Sequence, residues 1–599
     1  MNTVIKHKGQ LVRLTLCGAM TALCIVFCRL LGFPQTGIWR VDFGFLPIAA
    51  VGLLYGPLWA GVSYGVADLI GAAIFTGVNP MITLQKALIG ALMGAFFRGR
   101  ERLGWVRILL SMALISVLLD FAAMTVIFRV YFGYTWGAAL LARGVNAAVN
   151  FALRVPILLV CDRRLIPLLA TKGARLMADF SSYANSFQAT PRLGLARIRH
   201  LMGLLGNPQE QLSCIHVGGT NGKGSVVMLL DAILRHAGKR VGRYVSPNLV
   251  HVGERIAVNG TPVSDAALAA LLARIEGAAG ETERALGERV SQFEIWTAAA
   301  FLYFAEQRCD YVILEVGMGG EFDATNVISS CVTSVLTRIS LDHTEYLGST
   351  LTEIARTKCG IIKDACQTGT VVSAPQDPAV MEIIKEEAEK HGNSVIFADP
   401  PEPRRHFGMH ESFFFEGYGD IRCGLCGVHQ IENACVALTV AKLLHIDIYD
   451  AQCGVTYATH HGRLEVLRED PLLIYDGGHN PNGVEALLVS LDRYLGKDTP
   501  RACIVACMQD KDLPLMLKLL SQRPTVFFFT TVQNNPRAMT SEALTEAAAA
   551  LGIKGIPCPT LEAAIAAATD TRLPTVILGS LYLYADLPET LCPLKGELP

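Results

Sequence analysis

The sequence predicts a six-helix transmembrane bundle followed by a two-domain α/β unit, in which a phosphate-loop domain precedes a smaller Rossmann-like one. Three observations carry this expectation. Mean hydropathy is +0.37, and the excess lies before about residue 165, where long apolar runs follow one another with few charges. Beyond that point charged residues return at ordinary soluble density. Short apolar strand patterns there alternate with helical periodicity, as in a mostly parallel sheet covered on both faces. The first of those strands runs directly into a glycine-rich turn. A chain of 599 residues exceeds a single core, and the divisions fall at 1–170, 176–464 and 465–599, with a hinge around Glu465–Pro471. A net charge of −1 favours neither nucleic acid nor an acidic surface as partner.

The apolar runs span 11–33, 43–57, 58–76, 84–98, 106–130 and 138–161. The first is long and lacks a small-residue cleavage site, so no cleavable leader is expected. Six crossings put both ends on one side, and basic residues choose it. Lys6, Lys8 and Arg13 precede the first run, Arg98, Arg100, Arg102 and Arg107 follow the fourth, and Arg163, Arg164, Lys172 and Arg175 follow the sixth. The opposite loops hold little beyond Arg40. Multi-pass insertion in the cell membrane, with both termini and the α/β domains cytoplasmic, is therefore expected. Within the runs, Asp68, Asp120, Arg143, Asn146, Asn150 and Arg154 need partners or a cavity. Residues 143, 146, 150 and 154 share one helix face, which suits a polar, anionic ligand or a structural ion pair such as Asp120 with Arg143. The step Gly18–Ala22 allows close helix approach. Of the 17 cysteines, only Cys423 and Cys426 form a CxxC pair, without a second pair at zinc spacing, and reduced thiols are expected.

In the second part, Ser213–Val217 reads as a buried strand entering Gly218-Gly-Thr-Asn-Gly-Lys-Gly-Ser225, with a helix to about Arg235. Glycines let backbone N–H groups turn toward phosphates at a helix N-terminus, Lys223 supplies a charge, and Ser225 offers a hydroxyl to Mg²⁺. The strand Tyr311–Val316 carries Glu315, and Val332–Leu336 leads to Leu341-Asp-His343. Carboxylate and imidazole at the ends of parallel strands sit where such sheets bind ligands. A second α/β unit follows from Leu472, with strands at Ala502–Cys507, Thr525–Thr530 and Thr575–Leu578 and a helix at Ser541–Leu551.

Two resemblances follow from these residues. Arg40-Val-Asp-Phe-Gly-Phe-Leu-Pro-Ile, Leu54-Tyr-Gly-Pro-Leu-Trp-Ala-Gly61 and Asp68-Leu-Ile-Gly resemble the substrate-binding S component of energy-coupling-factor transporters, most closely the folate-specific member, over about residues 10–165. That resemblance implies vitamin binding from outside, with a separate transmembrane subunit and ATPase subunits as partners. Arg40, Asp120, Arg143, Asn146 and Asn150 are the candidate folate contacts in the membrane.

The extra glycine between Lys223 and Ser225 is the form seen in folylpolyglutamate and dihydrofolate synthases. About residues 180–599 resemble that Mur-ligase-like family. The resemblance implies ATP binding by Asn221, Gly222, Lys223, Gly224, Ser225, Asn433, Arg463, Asp476 and His479. It implies Mg²⁺ at two sites, with Ser225, Ser246, Glu315, His343 and Lys358 as ligands, Lys358 being carbamylated by CO₂. Lys223, Lys358 and His343 would carry catalysis, and Gln292, Phe293, Glu294, Phe322 and Asp323 would lie near the pterin of a folate or tetrahydrofolate. The implied reaction is ATP-dependent addition of L-glutamate to folate through an acyl phosphate, with dihydrofolate synthesis a second activity in many relatives. The chain departs from the family at Glu321, usually arginine, at Thr357 and Cys359 around the lysine, and at His461, commonly proline. A muramyl-peptide ligase shares the fold but usually carries Gly-Lys-Thr without the extra glycine. The non-enzyme alternative is a transport protein with a regulatory ligase-like domain, against which the intact Lys223, Ser225, Glu315, His343, Lys358 and Asp476 argue.

Overall fold

The structure, a computed structural model, describes residues 17–29, 43–75, 78–97, 105–160, 194–364 and 366–597. The chain divides into two compact units, Met1–Asp179 and Phe180–Pro599.

The described part of the first unit is helical: Cys17–Arg29, Phe45–Tyr55, Pro57–Phe75, Pro80–Phe97, Trp105–Tyr131 and Trp136–Val160. Four of these, from Pro57–Phe75 onward, are long and apolar enough to cross a membrane. The expected run 43–57 stops earlier, because Gly56 turns the chain with φ +83° and Pro57 opens the next helix. Phe45–Tyr55 has 11 residues, about 17 Å of helix against a hydrocarbon core of roughly 30 Å. Close approach is built from glycines other than the expected Gly18–Ala22 step, since a Cβ on Gly18 would meet nothing within 4 Å. Instead a Cβ on Gly90 would lie 2.4 Å from the Ala60 carbonyl oxygen, and one on Gly94 2.6 Å from Pro57 Cα. These small residues let Pro57–Phe75 and Pro80–Phe97 pack backbone to backbone.

The buried polar groups are joined across helices. Asp68 faces Arg29 at 3.5 Å and accepts from the Thr83 hydroxyl at 2.8 Å. Asp120 pairs with Arg154 at 2.6 Å, not with Arg143, and accepts from Gln85 at 3.3 Å. Asp120 sits in a π-helical turn, Ser116–Ala123, which takes the chain out of α-helical phase. The Arg143 guanidinium lies over the Phe128 ring, 4.5 Å from its centroid, and Asn150 donates to Asn146. Arg40 lies outside the described residues.

The second unit holds three sheets. The first comprises β1 Cys214–Gly218, β2 Val241–Tyr244, β3 Ile256–Val258, β4 Thr261–Pro262, β5 Tyr311–Glu315, β6 Thr333–Leu336, β7 Thr370–Ser373 and β8 Ser394–Phe397, in the order β4-β3-β2-β5-β1-β6-β7-β8. Pairing is parallel from β2 to β8, and β3 and β4 add antiparallel at one edge. β1 is central and buried at every residue, as its apolar run requires. A small antiparallel sheet, β9 Arg405–Phe407, β10 His410–Phe415 and β11 Gly419–Cys426, was not anticipated, since charges and glycines interrupt its apolar pattern. Cys423 is buried in the core beneath it.

The third sheet is β12 Glu465–Arg468, β13 Leu473–Asp476, β14 Arg501–Val505, β15 Thr525–Phe529, β16 Gly555–Pro557 and β17 Thr575–Leu578, in the order β12-β13-β17-β14-β15-β16. The segment expected as hinge is thus a strand and turn: β12 pairs antiparallel with β13. The crossing between sheets lies just before it, where Gly462 and Leu464 both have positive φ.

The helix Lys223–His236 emerges from β1 and packs on the helices His429–Leu443 and Ile448–Tyr457. Its closest approach is at Gly454, where a Cβ would stand 2.3 Å from Ile233 Cα. Gly454→Ala is therefore expected to destabilise the second unit by about 1–3 kcal/mol through forced separation of these helices. Thermal unfolding of the full chain checks this, and an unchanged midpoint contradicts it.

Candidate active site

β1 ends in the loop Gly218–Gly222, whose path only glycine permits at two points. At Gly219 (φ +132°) a Cβ would lie 2.0 Å from Thr337 Oγ1, and at Gly222 (φ +93°) 2.3 Å from Asn433 Oδ1. The Arg338 carbonyl, just past β6, accepts from Thr220 N at 2.9 Å and Asn221 N at 3.2 Å. That leaves the first-turn amides of Lys223, Gly224 and Ser225 without carbonyl partners inside the helix, the arrangement that receives an anion.

Lys223 folds back so that Nζ donates to the carbonyls of Gly219 (3.2 Å) and Thr220 (3.0 Å). Lys358, from the helix Leu351–Cys359, donates to the same Gly219 carbonyl at 2.8 Å. Burial, and then the nearby Lys223 charge, pull the Lys358 amine down to about 7. Lys223 is also lowered by burial, while Glu315 and Asp342 oppose the shift. Lys223, Lys358, Asp342 and His343 line one small cavity of about 20 Å³. His343 is held left-handed at φ +50°, an uncommon conformation outside glycine and asparagine, and Asp342 accepts from its N–H at 2.9 Å.

Glu315 ends β5 and is buried. Its Oε2 accepts from Ser246 N at 3.1 Å, while its Oε1 accepts no hydrogen bond among the described residues. Burial raises this carboxyl despite the opposing Lys223 charge. A buried carboxylate oxygen beside the loop that bears the Ser225 hydroxyl fits a hard divalent cation. Lys358 fits cation ligation only as a carbamate, and an amine held near neutrality is competent to react with CO₂.

A cleft of about 810 Å³ gathers most of the expected residues: Asn221 to Ser225, Ser246, Gln292 to Glu294, Glu315, Phe322, Asp323, His343, Asn433, Arg463, Asp476 and His479. Lys358 lies behind it, in the small cavity. The surroundings refine several roles. Glu294 is occupied by Arg197 at 3.2 Å and by Ser291 N, capping the helix Gln292–Gln307. Asp323 accepts from Met318 N, Thr325 N and the Thr325 hydroxyl, so it shapes the loop it belongs to. Phe293 packs against Gly317, and Phe322 is exposed toward the cleft. Asn433 accepts no bond from the loop but fills the space Gly222 leaves, while donating to Gln430 at 2.8 Å. Asp476 accepts from Leu464 N at 2.9 Å and Gly478 N at 2.7 Å, which fixes the backbone on either side of the crossing and presents Arg463 to the cleft. His479 is held low, at about 4, by burial and by Lys511 and Arg463.

Four residues of the site escaped the sequence reading. His460 meets the Ser225 hydroxyl at 3.2 Å. Asp342 stands inside Leu341-Asp-His343 without a role assigned, and Asn480 directly follows His479. Lys511, which meets Asp342 at 3.2 Å, lies in Asp510-Lys-Asp just after β14, and a charged triplet at the end of a parallel strand is a readable signal. Against burial, His343, Lys511 and His479 hold Asp342 down at about 2.

Comparison with known proteins agrees with this geometry. The Mur ligase middle domain matches residues 217–441, and the Mur ligase glutamate ligase domain matches 462–578. The dihydrofolate synthase/folylpolyglutamate synthase of Bacillus subtilis is 36% identical over 371 residues, covering 59% of this chain and 84% of the relative. The folylpolyglutamate synthase of Lacticaseibacillus casei is 32% identical over 426 residues, covering 68% and 97%. Among solved structures, Mycobacterium tuberculosis folylpolyglutamate synthase complexed with ADP and AMPPCP superposes with a TM-score of 0.63 at 32% identity, covering 69% of this chain and 97% of that one. A complex of a folylpolyglutamate synthase with AMPPCP and folate gives 0.59 at 28% identity, covering 68% and 97%. Matched at 36% identity over 84% of one such enzyme and at 32% over 97% of another, the chain belongs to the dihydrofolate synthase/folylpolyglutamate synthase family of ligases.

Proposed function

We propose that this ligase adds L-glutamate to the γ-carboxylate of a folate at the expense of ATP, and that it is joined to a six-helix membrane module that binds folate for uptake. The observation that carries the first half is the convergence of Lys223 and Lys358 on one carbonyl beside the free amides of the phosphate loop. A carboxylate is a poor electrophile toward an amine. In this reading a γ-carboxylate oxygen attacks the terminal phosphorus of ATP, ADP leaves, the glutamate amine attacks the acyl carbon, and phosphate departs. The amides of Lys223 to Ser225 and the Lys223 ammonium hold the phosphates and offset the developing charge. Asn433, Arg463, Asp476 and His479 face the nucleotide from the other side, and Phe293, Phe322 and Gln292 bound the folate. Ser225, Ser246, Glu315 and His343, with Lys358 as a carbamate, would hold magnesium, which when bound would supply charge neutralisation on the phosphates.

The second half rests on the apolar helices, the buried polar groups among them, the transporter-like motifs and the basic flanks that favour a cytoplasmic ligase. Uptake partners would be a transmembrane subunit and ATPase subunits of an energy-coupling-factor transporter. Each glutamate adds negative charge, which disfavours return through hydrocarbon.

Three outcomes are expected. Lys223→Ala removes a preorganised charge and should lower glutamylation by about 10²-fold or more, with thermal unfolding unchanged within error; near-normal turnover would sink the ATP assignment. Lys358→Ala should lose activity and recover part of it with formate or acetate. For the native residue, carbamylation at a fixed CO₂ concentration should grow as pH rises through about 7, because only the neutral amine reacts. An unmodified Lys358 in active enzyme, seen by intact-mass analysis in CO₂-equilibrated buffer, contradicts that role. Finally, cells carrying the chain with the energising subunits should retain radiolabelled folate as polyglutamates, whereas Lys223→Ala cells should take it up and lose it. Absence of folate binding by the membrane module overturns the transport half and leaves the ligase half standing.

A further inference from the structure

Three side-chain contacts join the β13–β17 domain to the phosphate-loop domain at the bottom of the cleft. Lys511 Nζ, from the turn after β14, lies 3.2 Å from Asp342 Oδ1, and both side chains are largely shielded, at 11% and 14% exposure. Asn480 Nδ2 donates to Asn221 Oδ1 at 3.1 Å and reaches Asp342 Oδ2 at 3.5 Å. Asn480 is itself fixed, because its Oδ1 accepts from Gly483 N at 2.8 Å and caps the helix Pro481–Leu495. Asp342 is the meeting point. Its Oδ1 takes the Lys511 charge and also accepts from His343 N, the residue whose left-handed backbone aims the imidazole at the small cavity beside Lys223 and Lys358. A pull on Asp342 is thereby a pull on His343, and a pull on Asn221 is a pull on the phosphate loop.

We propose that Lys511 and Asn480 form an interdomain latch centred on Asp342. Lys511 is a positioning residue: its ammonium is taken up by Asp342 and lies 3.7 Å from Asp510, and it acts by holding His343 and the phosphate loop at one separation from the facing domain. This rests on the ligase reading of the cleft. These three contacts are polar, and the domains are joined elsewhere by Arg493 on Glu411 and by Met409 packed into the core of the last domain. The latch ion pair is largely shielded, so removing Lys511 takes from Asp342 a counter-charge that water does not readily replace. Positioning losses of this kind fall on turnover more than on ground-state affinity.

The test uses the full chain in detergent. Wild type must first show Lys223-dependent glutamylation, which keeps failure of the ligase reading separate from failure of the latch. Lys511→Met is expected to lower kcat about tenfold or more while KM for ATP stays within about twofold. Amide hydrogen exchange at residues 341–347 should rise. Lys511→Arg, which keeps charge and reach, should recover most of the turnover. Asn480→Ser keeps a helix cap but loses the Nδ2 donor, and it supplies a second variant should Lys511→Met fold poorly. Because both residues act on one carboxylate, the double variant should lose less than the product of the single losses. Unchanged turnover and exchange in Lys511→Met overturns the latch. So does a raised KM for ATP or glutamate with kcat intact, which would make Lys511 a ligand contact, and so does strict multiplicativity of the two variants.

Discussion

The site depends on one backbone carbonyl, that of Gly219. It accepts from Lys223 and Lys358, residues that arrive from different helices and share no other partner there. The carbonyl can be presented this way only because Gly219 adopts φ +132° against Thr337, where any side chain would collide. The next two amides are pinned to Arg338 at the end of β6, so β1 and β6 together set the loop before any ligand arrives. Two ammonium groups on one oxygen repel each other in a buried setting, and Lys358, the more enclosed, is held near neutrality. The same crowding that would be a liability in an inert core makes this lysine chemically available.

Much of this was legible from residue order. The run Gly218–Ser225 placed the loop, and Glu315 and His343 were readable because parallel strands deliver residues to one edge of a sheet. The buried strands Ser213–Val217 and Tyr311–Val316 could hardly be anything else, given their unbroken apolar runs. What order did not reveal were contacts between distant segments. His460 and Ser225 are 235 positions apart, and Lys511 and Asp342 are 169 apart. The segment expected as hinge differs for a related reason: Glu465–Arg468 is committed to β12 by pairing with β13, and the crossing lies upstream at Gly462–Leu464. In the helical unit, the ion pair offered for Asp120 was with Arg143, whereas Asp120, in a π turn, pairs with Arg154. Helical phase read from sequence assumes 3.6 residues per turn, and a single wider turn invalidates every facing relation beyond it.

The two units follow opposite rules for polar groups. In the ligase, buried charges are left partly uncompensated, as at Glu315 and Lys358, where a substrate or cation is to complete them. In the helical unit, described charges are closed upon each other: Arg29 with Asp68, and Arg154 with Asp120, which also accepts from Gln85. Apolar surroundings make an isolated charge expensive and a paired one tolerable. The glycine contacts between Pro57–Phe75 and Pro80–Phe97 serve the same economy, bringing backbones close enough for side chains to find partners.

The account centres on an acyl phosphate formed in the cleft between the two α/β domains. Its most direct test is oxygen tracing: folate labelled with ¹⁸O in the γ-carboxylate is turned over with ATP and glutamate by the full chain, and the released phosphate is analysed by mass spectrometry. The account predicts one labelled oxygen in each phosphate, carried there when the carboxylate attacks phosphorus and retained when the amine displaces it. Unlabelled phosphate alongside newly formed glutamyl amide would contradict it.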